Sequence, residues 1–168
     1  PKRNEFIKLL NNGLFNKKRN KEGKLVVFSE SVDTLNYLKD QLEARLNRKD
    51  ILLVCAANRK NQLHHIQQNF DANYRKGEKL NVYNIILTSD VLAEGVNLHR
   101  SNIIVNYDSP WNATRLMQRI GRVNRIGSSA PYIYNYMFYP SQEGNDEIRL
   151  YDNALIKLQG FHSALGED

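Results

Sequence analysis

A rhythm constrains this chain more than any single residue does: short, continuously apolar, β-rich runs alternate with stretches of helical periodicity. Residues 24–29 (KLVVFS), 51–56 (ILLVCA), 84–88 (NIILT) and 102–106 (NIIVN) are too short for helices. They are also too apolar for strands with one wet face, so they read as strands buried on both sides. The intervening segments supply the covers. Ser31 is a candidate N-cap, and behind it Leu35, Leu38, Leu42 and Leu46 recur every three or four residues. A helix over 61–74 turns Leu63, Ile66 and Phe70 inward, a helix over 111–123 follows the fourth strand, 131–139 reads as a fifth strand and 143–159 as a closing helix. Residues 2–15 read as a further helix packed from outside. This alternation predicts an α/β fold, a parallel sheet sandwiched between helices. Only about a dozen residues separate the third and fourth strands, so 89–101 is expected to be mostly turn with at most a short helix. Ligands of such sheets bind at the carboxyl ends of the strands, which brings the loops 29–31, 89–97 and 107–112 to one edge.

With 168 residues and 41% hydrophobic content, one core suffices. The chain divides into residues 1–23, an N-terminal helix and basic linker, and residues 24–168, the α/β domain. No apolar run is long enough to span a bilayer, and no signal-peptide pattern is present. Beginning at Pro1, the chain reads as a monomeric piece excised from an intracellular protein, cytoplasmic and, in a bacterium, nucleoid-associated. A single cysteine excludes internal disulfides and multi-cysteine metal sites, and Cys55, inside an apolar run, is expected to be buried. His64 and His65 are adjacent and point to different sides of a helix, so no metal site is expected there. The net charge of +6 favours a polyanionic partner. Part of that excess, Lys17, Lys18, Arg19, Lys21 and Lys24, falls in one run that reads as a solvated linker rather than a groove.

Chemistry concentrates in 118–127, QRIGRVNRIG. On a helical wheel counted from Gln118, Arg115, Arg122 and Arg125 cluster within about 80°, whereas Leu116, Ile120 and Val123 gather on the opposite side. Such a helix packs on a sheet and aims guanidiniums, whose planar forks suit phosphate oxygens, at something anionic. Two geometries are open: the helix continues, or Gly121 ends it and places Arg122 and Arg125 in the turn beyond. About thirty residues earlier stands TSDVLAEGVNL, 88–98, directly after a buried strand. Its hydroxyls and carboxylate occupy a strand tip suited to phosphates, Gly95 permits a positive φ or close approach, and Asn97 offers an amide to a sugar hydroxyl.

Together these segments resemble motifs V and VI of superfamily-two helicases. The stretch TSDVLAEGVNLHRSNIIVNYDSPWNATRLMQRIGRVNRIG, 88–127, is similar to the helicase C-terminal domain of Swi/Snf-type and bacterial RNA-polymerase-recycling ATPases, and KLVVFSES stands where motif IV begins. The resemblance implies a RecA-like second lobe. ATP and Mg2+ would be bound mainly through a first lobe of the same polypeptide, while Arg125 acts as arginine finger, Arg122 as its partner, and Gln118 contacts the γ-phosphate or attacking water. Glu94, Gly95 and Asn97 match the part that approaches the nucleotide, Asn97 replacing an aspartate common in DEAD-box members. Thr88, Ser89 and Ser29 match positions that bind the nucleic-acid backbone, with helix capping as the other reading of Ser29, and Asp90 would hold an arginine in place. Swi/Snf-like wording makes DNA the preferred polymer over RNA. Trp111 is read as a packing anchor, and Tyr132, Tyr134, Tyr136 and Tyr139 as core or rim rather than base-stacking platforms. No phosphate-loop string and no Asp-Glu pair after an apolar strand occur, so the chain alone is expected not to hydrolyse ATP. A docking module that kept the fold is the alternative. A free-standing oxidoreductase is disfavoured because no Gly-x-Gly-x-x-Gly follows a strand.

Overall fold

A computed structural model of the chain describes residues 2–110, 112–128 and 130–139. Trp111 and the helix expected over 143–159 lie outside the described residues. The element order is α1 (Lys2–Leu9) with a π-helical turn (Leu10–Leu14), β1 (Leu25–Phe28), α2 (Val32–Leu46), β2 (Ile51–Val54), α3 (Arg59–Phe70), β3 (Ile85–Thr88), a 3-10 turn (Asp90–Leu92), β4 (Ile103–Asn106), α4 (Ala113–Val123) and β5 (Tyr134–Met137). All strand pairings are parallel, in the order β2-β3-β1-β4-β5.

Period-two alternation divides the core. Leu25, Val27, Ile85, Leu87, Ile103 and Val105 face α2 and α1, while Val26, Phe28, Ile86 and Ile104 face Ile66 and Phe70 of α3 and Val123 of α4. Connection handedness explains which helix lies where. The step from β1 to β2 runs one way across the sheet and places α2 on the first face; the three later steps run the other way and place α3, the 89–101 segment and α4 on the second. Right-handed crossovers permit only that arrangement. The 89–101 connection is turn with a three-residue 3-10 helix, in keeping with its length. Phe6 of α1 is fully buried in the first-face core and stacks edge-on to Tyr107 with ring centroids 5.7 Å apart.

Several local expectations are corrected. The inward stripe of α3 consists of Ile66, Asn69 and Phe70, and Leu63, one turn earlier, remains 37% exposed. That helix also ends at Phe70, where Asp71 leaves helical geometry, so it is shorter than 61–74. Cys55 is only half-buried, because β2 is an edge strand that ends at Val54 and Cys55 enters the turn where its N–H is capped by Asn58 Oδ1 at 2.9 Å. Lys24 does not belong to a solvated run. It is fully buried, donating to the Tyr83 carbonyl at 2.7 Å and to Asn84 Oδ1 at 3.0 Å.

Burial, reinforced by nearby Arg100 and only partly opposed by Glu22 and Asp50, lowers the Lys24 pKa to about 8. A lysine whose folded pKa lies below its unfolded value of about 10.4 binds a proton more readily in the unfolded chain across that interval. Its contribution to stability therefore rises with pH from about 8 upward. Urea unfolding of the wild type and of Lys24→Met between pH 7.5 and 10 is expected to show a wild-type stability that gains on the variant as pH increases; parallel curves would contradict the shift.

Candidate functional site at the strand tips

The site is built from three loops at the carboxyl ends of β1, β3 and β4 and from the face of α4 laid across them. Asn112 caps α4, accepting from Thr114 N at 2.9 Å. The helix continues through Gly121 and closes with Asn124 N–H on Ile120 O at 2.8 Å, so Arg122 occupies its last turn and Arg125 the segment beyond. Gly121 therefore does not end the helix, and of the two arginines only Arg125 lies in the turn beyond it.

The centre of the arrangement is Arg119, which has no solvent exposure. Its Nε donates to Asp90 Oδ1 at 2.6 Å, its Nη1 to Asn106 Oδ1 at 2.9 Å, and its guanidinium lies 5.0 Å from the Phe28 ring centroid. One side chain of α4 thereby joins the tips of β1, β3 and β4. Arg115 extends the cluster outward, reaching the second oxygen of Asp90 at 3.3 Å and Glu30 at 3.6 Å. Helix periodicity places Arg119 about 100° on from Gln118, between the cationic and apolar faces, so an arginine buried by its partners was missed. The signal available was the carboxylate of Asp90 on the preceding strand tip.

The residues flagged in the sequence fall into two groups around this centre. Ser29 and Thr88 are fully buried. Ser29 Oγ donates to Asp108 Oδ2, and Asp108 also accepts from Lys2 Nζ at 3.1 Å. Thr88 Oγ1 donates to the Ser89 carbonyl at 3.0 Å, and Ser89 is half-buried beside it. On the other side, Glu94 Oε1 accepts from Gln118 Nε2 at 3.4 Å and the Glu94 carbonyl from Arg59 Nη2 at 2.9 Å. Gly95 has φ +73°, the left-handed conformation that favours glycine, and a Cβ there would lie 2.7 Å from Arg59 Nη2 and push that flexible side chain aside. Arg59, Asp90, Glu94, Arg115 and Gln118 line a cleft of about 310 Å³.

Arg125 Nη1 donates to Asn97 Oδ1 at 2.5 Å, and Asn97 Nδ2 in turn to Asp71 Oδ2 at 3.2 Å. Behind Asp71 the imidazole of His99 is buried, with Nδ1 3.8 Å from Asp71 Oδ1. Burial lowers its pKa, Arg125 and Lys79 push the same way, and Asp71 opposes them. Asp71 and His99, like Arg59, went unflagged in the sequence because nothing local distinguishes them. Arg122 Nε is buried without a hydrogen-bond partner among the described residues, as are Arg119 Nη2 and both ring nitrogens of His99. Burial and the neighbouring Arg125 lower the pKa of Arg122, with Glu94 only partly compensating. A guanidinium crowded by a second one, with its own buried donor orphaned, stands in an environment short of negative charge. Chemically, it fits a phosphate group.

Fold and site together define a RecA-like α/β lobe with arginines presented at one end of its strands. Comparisons with known proteins agree: the model of the helicase conserved C-terminal domain matches residues 1–127, and the chain belongs to that family. An uncharacterized ATP-dependent helicase of Bacillus subtilis, YqhH, is 36% identical over 84 residues, 49% of this chain and 14% of that protein. ATP-dependent RNA helicase DDX55 of Xenopus laevis is 31% identical over 123 residues, 73% of this chain and 18% of its own length. The Zorya protein ZorD of Escherichia coli O139:H28 is 23% identical over 168 residues, all of this chain and 15% of that protein. The chain thus spans less than a fifth of each of these relatives. Among solved structures, the C-terminal part of the Fun30 ATPase domain superposes with a TM-score of 0.65 at 18% identity, covering 91% of this chain and 45% of that one. The C-terminal domain of the DEAD-box protein Dbp5 gives 0.63 at 17%, covering 99% and 79%.

Replacing Arg119 by Ala strips Asp90 and Asn106 of their shared donor and leaves a cavity over Phe28. We expect a loss of about 3 kcal/mol of stability, read as a lowered urea midpoint. A change below about 0.5 kcal/mol, the range of ordinary surface substitutions, would show that Arg119 does not hold the strand tips together.

Proposed function

We propose that this chain is the second RecA-like lobe of an ATP-dependent helicase or translocase, completing an ATP site whose phosphate loop and Mg2+ carboxylates stand on a first lobe of the same polypeptide. The observation that carries the proposal is the charge imbalance at Arg122 and Arg125: two adjacent guanidiniums with one buried Nε unpartnered among the described residues. Bound ATP supplies the phosphoanhydride and the anionic oxygens. Arg125 is assigned as the arginine finger and Arg122 as its partner, both neutralising charge that develops on the transferred phosphoryl group. Gln118, held by Glu94, is assigned to the γ-phosphate or the attacking water, and Gly95 and Asn97 to the nucleotide's approach.

The nucleic-acid backbone is assigned to Ser29, Thr88 and Ser89 on the opposite flank. The Ser29 and Thr88 hydroxyls are buried and donate within the lobe, so half-buried Ser89 is the most accessible of the three for a phosphate. DNA is the preferred polymer, on the motif wording and on Asn97 in place of the DEAD-box aspartate.

In the full-length protein, Arg125→Ala is expected to lower nucleic-acid-stimulated ATP turnover by about 10³-fold or more while leaving nucleotide-free binding of the polymer within about two-fold. Unchanged turnover would remove the motor assignment and leave a docking module. Comparing turnover with single-stranded DNA, duplex DNA and RNA at one fixed ionic strength tests the polymer preference.

A further inference from the structure

At the amino ends of the strands, away from the arginine site, lies a second cleft of about 260 Å³. Its walls include Lys18, Arg19 and Lys21, which precede β1, Pro131 and Tyr132, which lead into β5, and Tyr134 at the start of that strand. Among the described residues, no acidic side chain lines it. Tyr132 is 70% exposed, the guanidinium of Arg19 lies 5.6 Å from the ring centroid of Tyr134, and Lys18, Arg19 and Lys21 are all exposed. None of these three cations is in an ion pair among the described residues.

The basic loop is also not a loose linker, because buried amides pin both walls. Asn20, with no exposure, donates to the carbonyls of Leu14 and Lys24 at 2.8 and 3.0 Å and accepts from Lys24 N–H at 3.0 Å. Asn102, 4% exposed, donates from Nδ2 to the Arg19 carbonyl at 2.6 Å and to the Tyr132 carbonyl at 3.3 Å. One buried side chain thus fixes the spacing between the cations and the exposed ring. Solubility requires neither the anchoring nor the tyrosine.

We propose that this cleft is a second nucleic-acid site, binding a single strand with a base stacked on Tyr132 and the flanking phosphates on Lys18 and Lys21. Aromatic stacking beside a cationic track is the chemistry single strands select. An acidic peptide would satisfy the lysines but leave the ring exposed. The proposal takes the identity of the polymer from the preceding section but does not depend on ATP hydrolysis. It places a strand contact at the end of the sheet opposite Ser29 and Thr88, so the lobe would grip its polymer at two separated points.

The test uses fluorescence anisotropy of a labelled oligothymidine, and of oligouridine in parallel, with full-length protein at several salt concentrations. Lys18→Glu/Lys21→Glu is expected to weaken binding by about ten-fold or more and to reduce the log-log salt slope by about 1.4, two single-strand phosphate contacts. Tyr132→Ala should cost about five-fold or more and Tyr132→Phe should restore wild-type binding, since the ring rather than the hydroxyl stacks. ATP turnover at saturating oligonucleotide should not change in any of the three. Independently of any variant, an oligonucleotide carrying 5-iodouracil should photocrosslink to Tyr132 in the wild-type protein. Unchanged affinity and slope with no crosslink at 130–134 would overturn the proposal, as would binding of poly-glutamate in preference to either oligonucleotide. Because Arg125→Ala is read by turnover and these variants by affinity, failure of the motor assignment and failure of this site are separately visible.

Discussion

The strand-tip region depends on one buried charge. Arg119 carries a guanidinium where there is no solvent, and it is tolerable there only because Asp90 neutralises it, Asn106 takes a second N–H and Phe28 offers its ring face. Removing any partner from such an arrangement costs more than the pair itself contributes, since a charge or polar group is left orphaned. The consequence is geometric. Fixing Arg119 fixes the rotation of α4 about its axis, and with it the directions in which Gln118 and Arg122, one residue before and three after, leave the helix. The precision of the site therefore derives from a residue that does not face its ligand.

Around this pivot the arginines divide by how well they are neutralised. Arg115 and Arg119 share Asp90, with Glu30 added at the outer end. Arg122 is crowded by Arg125 with Glu94 only partly compensating, and Arg125 itself donates to neutral oxygens, Asn97 Oδ1 and the Gly121 carbonyl. The first pair is neutralised by carboxylates within the lobe, with Arg119 Nη2 left without a partner among the described residues, which fits a structural duty. The second pair is incomplete, which fits a duty toward an incoming anion. That contrast separates their roles more firmly than their shared residue type does.

Much of this architecture was legible before any coordinates. Strand positions, the parallel arrangement and the near-absence of helix in 89–101 follow from continuous apolar runs and from the length of the connection, both properties of the local chain. What escaped was decided by distant partners. Lys24 looks like one more cation in a basic run, yet Tyr83 and Asn84, about sixty residues away in sequence, draw it into the interior. Cys55 looks buried by its neighbours, but the edge position of β2 leaves it half open. Arg119 falls at an ambiguous angle on the wheel, and only the strand tips opposite settle its direction. Asp71 and His99 have no motif at all, because their position behind Asn97 exists only in the folded chain.

The berth of Arg125 occupies only part of its fork. Nη1 is held by Asn97 and Nε by the Gly121 carbonyl, whereas Nη2 makes no hydrogen bond among the described residues. A guanidinium carries five N–H groups, so an anion can take the remaining ones while Asn97 keeps its charge-assisted bond, worth about 1.5–3 kcal/mol. The side chain would thus meet an anion already aimed, with little rotamer freedom left to lose on contact.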